Sequence, residues 1–156
     1  MNIKLWIIYK DGIVISKFIA EMLQDRLENY MDVSVGTASK ISPLFLLEEK
    51  LDYLIIGDTI SETIPSVEIQ NWVLKYGEIS ENNNLSLKVL SGFYIAFTDI
   101  ENDKLWGEFL QGNINAEIIY PPILYLRLNG LEIAQEIDVF EIVKVYSNDF
   151  IEFIIK

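Results

Sequence analysis

The 156-residue chain contains no cysteine and no histidine. The first absence excludes disulfides, thiolate nucleophiles and cysteine-ligated zinc or iron–sulfur centres. The second removes the side chain that most often moves protons near neutral pH, and with it a common metal ligand. Any catalysis must rest on carboxylates, lysine, tyrosine, hydroxyls or a bound cofactor. Cations are also scarce: 12 Lys and Arg stand against 24 Asp and Glu, for a net charge of −12. Phosphate contacts need clustered Lys and Arg, so this balance argues against nucleic acid and equally against an anionic membrane surface. It suits a basic protein partner or a cation. No apolar stretch approaches the ~20 residues of a membrane span. Met1 leads straight into strand-like sequence with no signal peptide in view, so the expected location is the cytoplasm.

What is present is apolar: 51% of the residues are hydrophobic. That supports one ordinary domain over residues 1–156 with its own core. Ile3–Tyr9 (IKLWIIY) is apolar on both faces apart from Lys4, the pattern of a strand covered on two sides. Lys10–Ile15 is a short connection. Ser16–Tyr30 predicts a helix with Ser16 as N-cap and Phe18, Ile19, Met22, Leu23 and Leu27 on its apolar face. Asp32–Gly36 is a short strand. Ser42-Pro43 opens a short helix that turns Leu44, Leu47 and Leu51 to the core. Asp52–Gly57 is a buried strand, Asp58–Ile64 a loop, and Pro65–Tyr76 an amphipathic helix that Gly77 can end. Glu78–Asn84 reads as a polar loop. Leu87–Leu90 fits either an extension of the next strand or a separate turn. Phe93–Thr98 is a buried strand, Asp99–Asp103 an acidic loop, and Lys104–Gln111 a helix with Gly112 as terminator. Trp6, Trp72 and Trp106 have apolar neighbours and belong to the core. Glu117–Tyr120 is a strand stopped by Pro121-Pro122. Ile123–Leu128 either continues the sheet or forms an extended arm, and Asn129-Gly130 is a turn. From about residue 137 to 155, Phe140, Val143, Phe150, Ile151 and Ile154 mark a closing helix. Strands and helices that alternate with short loops predict a doubly wound, three-layer α/β/α domain with a parallel sheet.

The order and spacing of IKLWIIY, KFIAEML (Lys17–Leu23), DYLIIGDTI (Asp52–Ile60), the Pro-started third helix and AEIIYPP (Ala116–Pro122) resemble the flavodoxin-like family. The resemblance implies five parallel strands in the order 2-1-3-4-5, with FMN at the carboxyl edge where the strand order reverses. The beginning of the first strand and SGFYIAFTD (Ser91–Asp99) are similar to the menaquinone-dependent protoporphyrinogen oxidase branch. The family's phosphate loop, Ser/Thr-x-Thr-Gly-x-Thr, falls on Asp11–Ser16. Only Ser16 matches; Ile13, Val14 and Ile15 stand at the Thr, Gly and following positions. The cofactor-binding positions implied are Lys10, Asp11, Gly12, Ile13, Val14, Ile15 and Ser16, with Asp58, Thr59, Thr98 and Asp99 at the ends of the third and fourth strands.

The residues leave several readings open. Ile13, Val14 and Ile15 can pack the loop down and close a phosphate site, because a branched side chain restricts φ and the close approach of a ligand to the backbone. The chain is then a divergent relative with a degenerate FMN site, a binding module of a redox or regulatory system. Alternatively, backbone amides and Ser16 still hold FMN, and the protein carries electrons. In a third reading, Asp11, Asp58 and Asp99 converge on a divalent cation, as in a phospho-receiver domain. Against it, no second acidic residue adjoins Asp11 and no Lys precedes Pro121. Asp at a strand end is also common as a cap or turn residue.

Overall fold

Successive side chains of a strand point to opposite faces, and in this chain both faces are apolar. The computed structural model describes residues 3–61, 64–96, 104–119, 124–129, 132–133 and 139–155. Strand β1 (Lys4–Tyr9) runs parallel to β2 (Asp32–Thr37) on one side and to β3 (Tyr53–Ile60) on the other. Strand β4 (Leu87–Ala96) pairs in parallel with β3 along its whole length, from Tyr53↔Val89 to Ile60↔Ala96. Leu5, Ile7, Tyr9, Tyr53, Ile55, Phe93 and Ile95 face helices α1 (Val14–Leu27) and α5 (Val139–Ile155), where Ile19, Leu23, Leu27, Val143 and Phe150 meet them. Trp6, Ile8, Leu54, Ile56 and Tyr94 face the opposite layer of α2 (Pro43–Glu49), α3 (Val67–Asn82) and α4 (Leu105–Asn113), meeting Leu46, Ile69, Trp72, Val73 and Trp106. The result is the expected doubly wound sandwich with parallel strand positions in the order 2-1-3-4-5.

The fifth position is shared by two segments. Strand β5 (Ala116–Ile119) pairs with the first half of β4, up to Leu90↔Ile119. Strand β6 (Leu124–Asn129) takes over at Phe93↔Leu124 and continues in parallel to Ala96↔Arg127. Three steps along β4 thus answer five along its partner. Of the two alternatives for Ile123–Leu128, continuation of the sheet is the one observed. A short antiparallel strand, β7 (Glu132–Ile133), closes on β6. Pro121, Pro122 and Gly130 lie outside the described residues.

Several sequence-based boundaries move. Strand β3 continues to Ile60 rather than ending at Gly57, so Asp58 and Thr59 are strand residues. Leu87–Leu90 belongs to β4. Helix α3 does not stop at Gly77 but runs through the supposed polar loop to Asn82. The glycine is there for packing: a Cβ at Gly77 would lie 1.9 Å from the Asn113 carbonyl oxygen on α4. Gly112 likewise sits inside α4 rather than ending it. In α2, Ser42 caps as expected, its hydroxyl accepting the Phe45 N–H at 3.2 Å. The buried residue of that helix is Leu46, while Leu44, expected in the core, is 57% exposed. Phe18 and Phe140 are also exposed. They meet edge-on across α1 and α5 with ring centroids 5.4 Å apart, on the outer side of the helix pair.

The two helical glycines separate packing from propensity. Gly77→Ala is expected to lower stability by about 2 kcal/mol or more despite the ~1 kcal/mol that alanine gains in a helix. Gly112→Ala, with no atom within 4 Å of its Cβ, is expected to be neutral or slightly stabilising. Urea melts of the two variants check this directly.

Candidate functional site

In a doubly wound sheet the natural crevice lies outside the carboxyl ends of the strands, where neighbouring strands send their helices to opposite layers. Here that point lies between β1 and β3. The chain leaves β1 at Lys10, whose N–H donates to the Gly57 carbonyl at 3.0 Å and whose Nζ donates to the Thr59 carbonyl at 3.4 Å. Gly12 turns the loop with φ +100°, a left-handed conformation that suits glycine. Ile13 is extended and no side chain caps the helix that follows, which starts at Val14. Ser16 is therefore not the N-cap. It lies within the first turn, wholly buried, with its hydroxyl 2.8 Å from that of Thr59. Its N–H returns to the Ile13 carbonyl at 3.2 Å. Val14 projects outward at 84% exposure, and Ile15 packs against the core beneath α1. The Asp11 carboxylate accepts a hydrogen bond from the Ser39 hydroxyl.

Asp58 and Thr59 are adjacent, so the strand sends them to opposite layers. Thr59 reaches α1 through Ser16. Asp58 faces α3 and α4 and is fully buried. Its Oδ1 accepts the Thr59 N–H at 2.8 Å and the Ser66 hydroxyl at 2.7 Å. Its Oδ2 accepts the Ser66 N–H at 2.9 Å and the Trp106 Nε1–H at 3.0 Å. Ser66 precedes the first residue of α3, so Asp58 caps that helix from a distance. The Trp106 indole can reach it because Gly92 leaves room: a Cβ there would lie 2.6 Å from the ring. Burial pushes the Asp58 carboxyl above its ordinary 3.8, and the hydrogen bonds from Trp106, Ser66 and Thr59 pull the other way.

A cavity of about 380 Å³ opens beside this cluster, lined among others by Lys10, Thr59, Ser66, Glu68 and Gln70. Of the expected site residues, the structure gathers Lys10, Ser16, Asp58 and Thr59 around the end of β3. Asp11 turns to Ser39, and Val14 points away from the core. Thr98 and Asp99 lie outside the described residues. Among the described residues no three acidic side chains group as a metal site would require. Each Asp58 oxygen already accepts two hydrogen bonds, which leaves that carboxylate poorly placed for a cation. Nor do the side chains of Asp11–Ser16 fit a phosphate dianion: the one hydroxyl is committed to Thr59, and a carboxylate stands in the loop.

No family model and no curated protein matches the sequence. Solved structures do match the fold. Flavodoxin 2 from Bacillus cereus superposes with a TM-score of 0.70 at 18% identity, over 96% of this chain and 98% of that one. A flavodoxin from the domain Archaea gives 0.70 at 15% identity, over 94% and 95%. This chain has the flavodoxin-like fold. Rubredoxin oxygen:oxidoreductase from Desulfovibrio gigas gives 0.68 at 13% identity. That match covers 93% of this chain, which spans 34% of the oxidoreductase.

Sequence reasoning missed Ser39, Ser66 and Trp106 as partners of the aspartates. The signal for Trp106 was present: a buried indole N–H needs an acceptor, and apolar neighbours supply none.

Asp58→Asn tests the cluster. The amide keeps one accepting oxygen but presents an NH2 group to donors from Ser66 and Trp106, for an expected loss of about 3 kcal/mol. A raised carboxyl favours the folded state below its ordinary value and loses that contribution as pH rises through its folded value. The stability gap between wild type and variant is therefore expected to be wider at about pH 4 than at about pH 8. Denaturant melts at both values measure it.

Proposed function

We propose that this chain is a flavodoxin-like domain with a degenerate FMN site, used as a binding module within a redox or regulatory assembly. One observation carries the reading. The only hydroxyl left in the loop that resembles the family's phosphate cradle, Ser16, is buried against Thr59. Around it, the hydroxylated and small residues of the family pattern are replaced by Asp11, Ile13 and Val14. The net charge of −12 selects a basic protein as the partner, by steering and complementarity rather than by any one ion pair.

A second reading rests on a different feature. No side chain caps the start of α1, so the amides of Val14 and Ile15 would be the groups to hold an anion there. Two of the similar structures are flavodoxins by name. In this reading the chain binds FMN, and the flavin, when bound, supplies the electron transfer. The segment Ser91–Asp99 would then place it near the menaquinone-dependent protoporphyrinogen oxidase branch.

FMN titration separates the two. No quenching of flavin fluorescence is expected up to about 100 µM FMN, and a dissociation constant near or below about 1 µM would overturn the first reading. Ile13→Thr combined with Val14→Gly restores two family-pattern residues. A gain in FMN affinity in that variant would locate the defect in the loop alone.

A further inference from the structure

We propose that Asp58 couples the opening turn of α3, which lines the cavity, to the opening turn of α4, which does not, so that a disturbance of one helix start is transmitted to the other. The two helix starts share a single acceptor atom. Oδ2 takes the Ser66 backbone N–H at 2.9 Å and the Trp106 Nε1–H at 3.0 Å, while Oδ1 takes the Ser66 hydroxyl at 2.7 Å. The carboxylate is fully buried near the end of β3, one residue beyond its last pairing with β1 and where it is still paired with β4 through Asp58↔Tyr94. Water cannot readily replace a lost donor there, so the carboxylate follows a donor that moves. A shift of Trp106 that draws Oδ2 with it stretches the bond that positions Ser66.

Ser66 lines the 380 Å³ cavity and Trp106 does not. A molecule that moves α4 therefore reshapes a cavity it never touches, and an occupant that displaces Ser66 acts back on α4. Coupling of this kind is reciprocal by thermodynamic necessity. A second contact joins the same helices, where Gly77 meets the Asn113 carbonyl. It lies about 15 Å further along α3 at 1.5 Å per residue. The two levels are far enough apart to be read separately.

Hydrogen exchange on the full-length protein, followed by mass spectrometry, tests the link. Trp106→Phe keeps an aromatic side chain but removes the N–H and part of the indole volume; Ser66→Ala removes only the hydroxyl. Trp106→Phe is expected to speed exchange of the amides of residues 66–70 by about tenfold, with less change around Gly77. Ser66→Ala is expected to speed exchange across residues 105–110 reciprocally. The double variant should show less additional loss of stability than the sum of the singles, because both act on one carboxylate. Exchange that quickens only in the substituted element, with additive stabilities, would overturn the coupling. So would a uniform acceleration that includes β1 and α5, which would mark general loosening. Neither test depends on the more disruptive Asp58→Asn, and Ser66→Ala reads the link without a change in core volume.

Discussion

The carboxylate of Asp58 is the constraint on which the crevice depends. A buried carboxylate loses its hydration on folding, and only donors supplied by the protein offset that loss. Here a strand amide, the serine that precedes α3 and an indole supply them. Each donor comes from a different part of the chain, so satisfying one buried group fixes the relative positions of β3, α3 and α4. Thr59, one residue on, does the same for the opposite layer through Ser16. The end of β3 thus anchors helices on both sides of the sheet.

The anchoring bears on what this region can bind. A phosphate held at the start of α1 would call on hydroxyls and on amides that the chain can approach closely. In this chain the hydroxyl is turned inward, toward β3, and the outward position is the aliphatic Val14. Packing and ligand binding compete for the same few atoms, and the arrangement at Ser16 favours packing. The flavodoxin-like fold is held together by the sheet and its two apolar faces.

Much of the fold was legible in the sequence because buried parallel strands read as continuous apolar runs. IKLWIIY and DYLIIG could hardly be anything else in this context, and Ser42-Pro43 marked a helix start through a mechanism that operates locally. The failures share a cause. Gly77 looked like a terminator because its reason for being glycine, the Asn113 carbonyl, is 36 positions away in the chain. Ser16 looked like a cap because the Thr59 hydroxyl that claims it is 43 positions away. Asp58 looked like a loop acid because its burial depends on Trp106, 48 positions on. Local patterns carry local physics; the site is built from tertiary contacts, and the loop's identity could be compared with a family pattern but its hydrogen bonds could not be read.

The divided fifth strand carries a rule about parity. Between β5 and β6 the partner of β4 gains two residues relative to an uninterrupted ladder. Side chains along a strand alternate, so an odd surplus would exchange inside for outside along everything that follows, whereas an even one leaves the alternation intact. With a surplus of two, β5 and β6 present the same alternation to β4, which keeps a parallel partner up to Leu90 and again from Phe93.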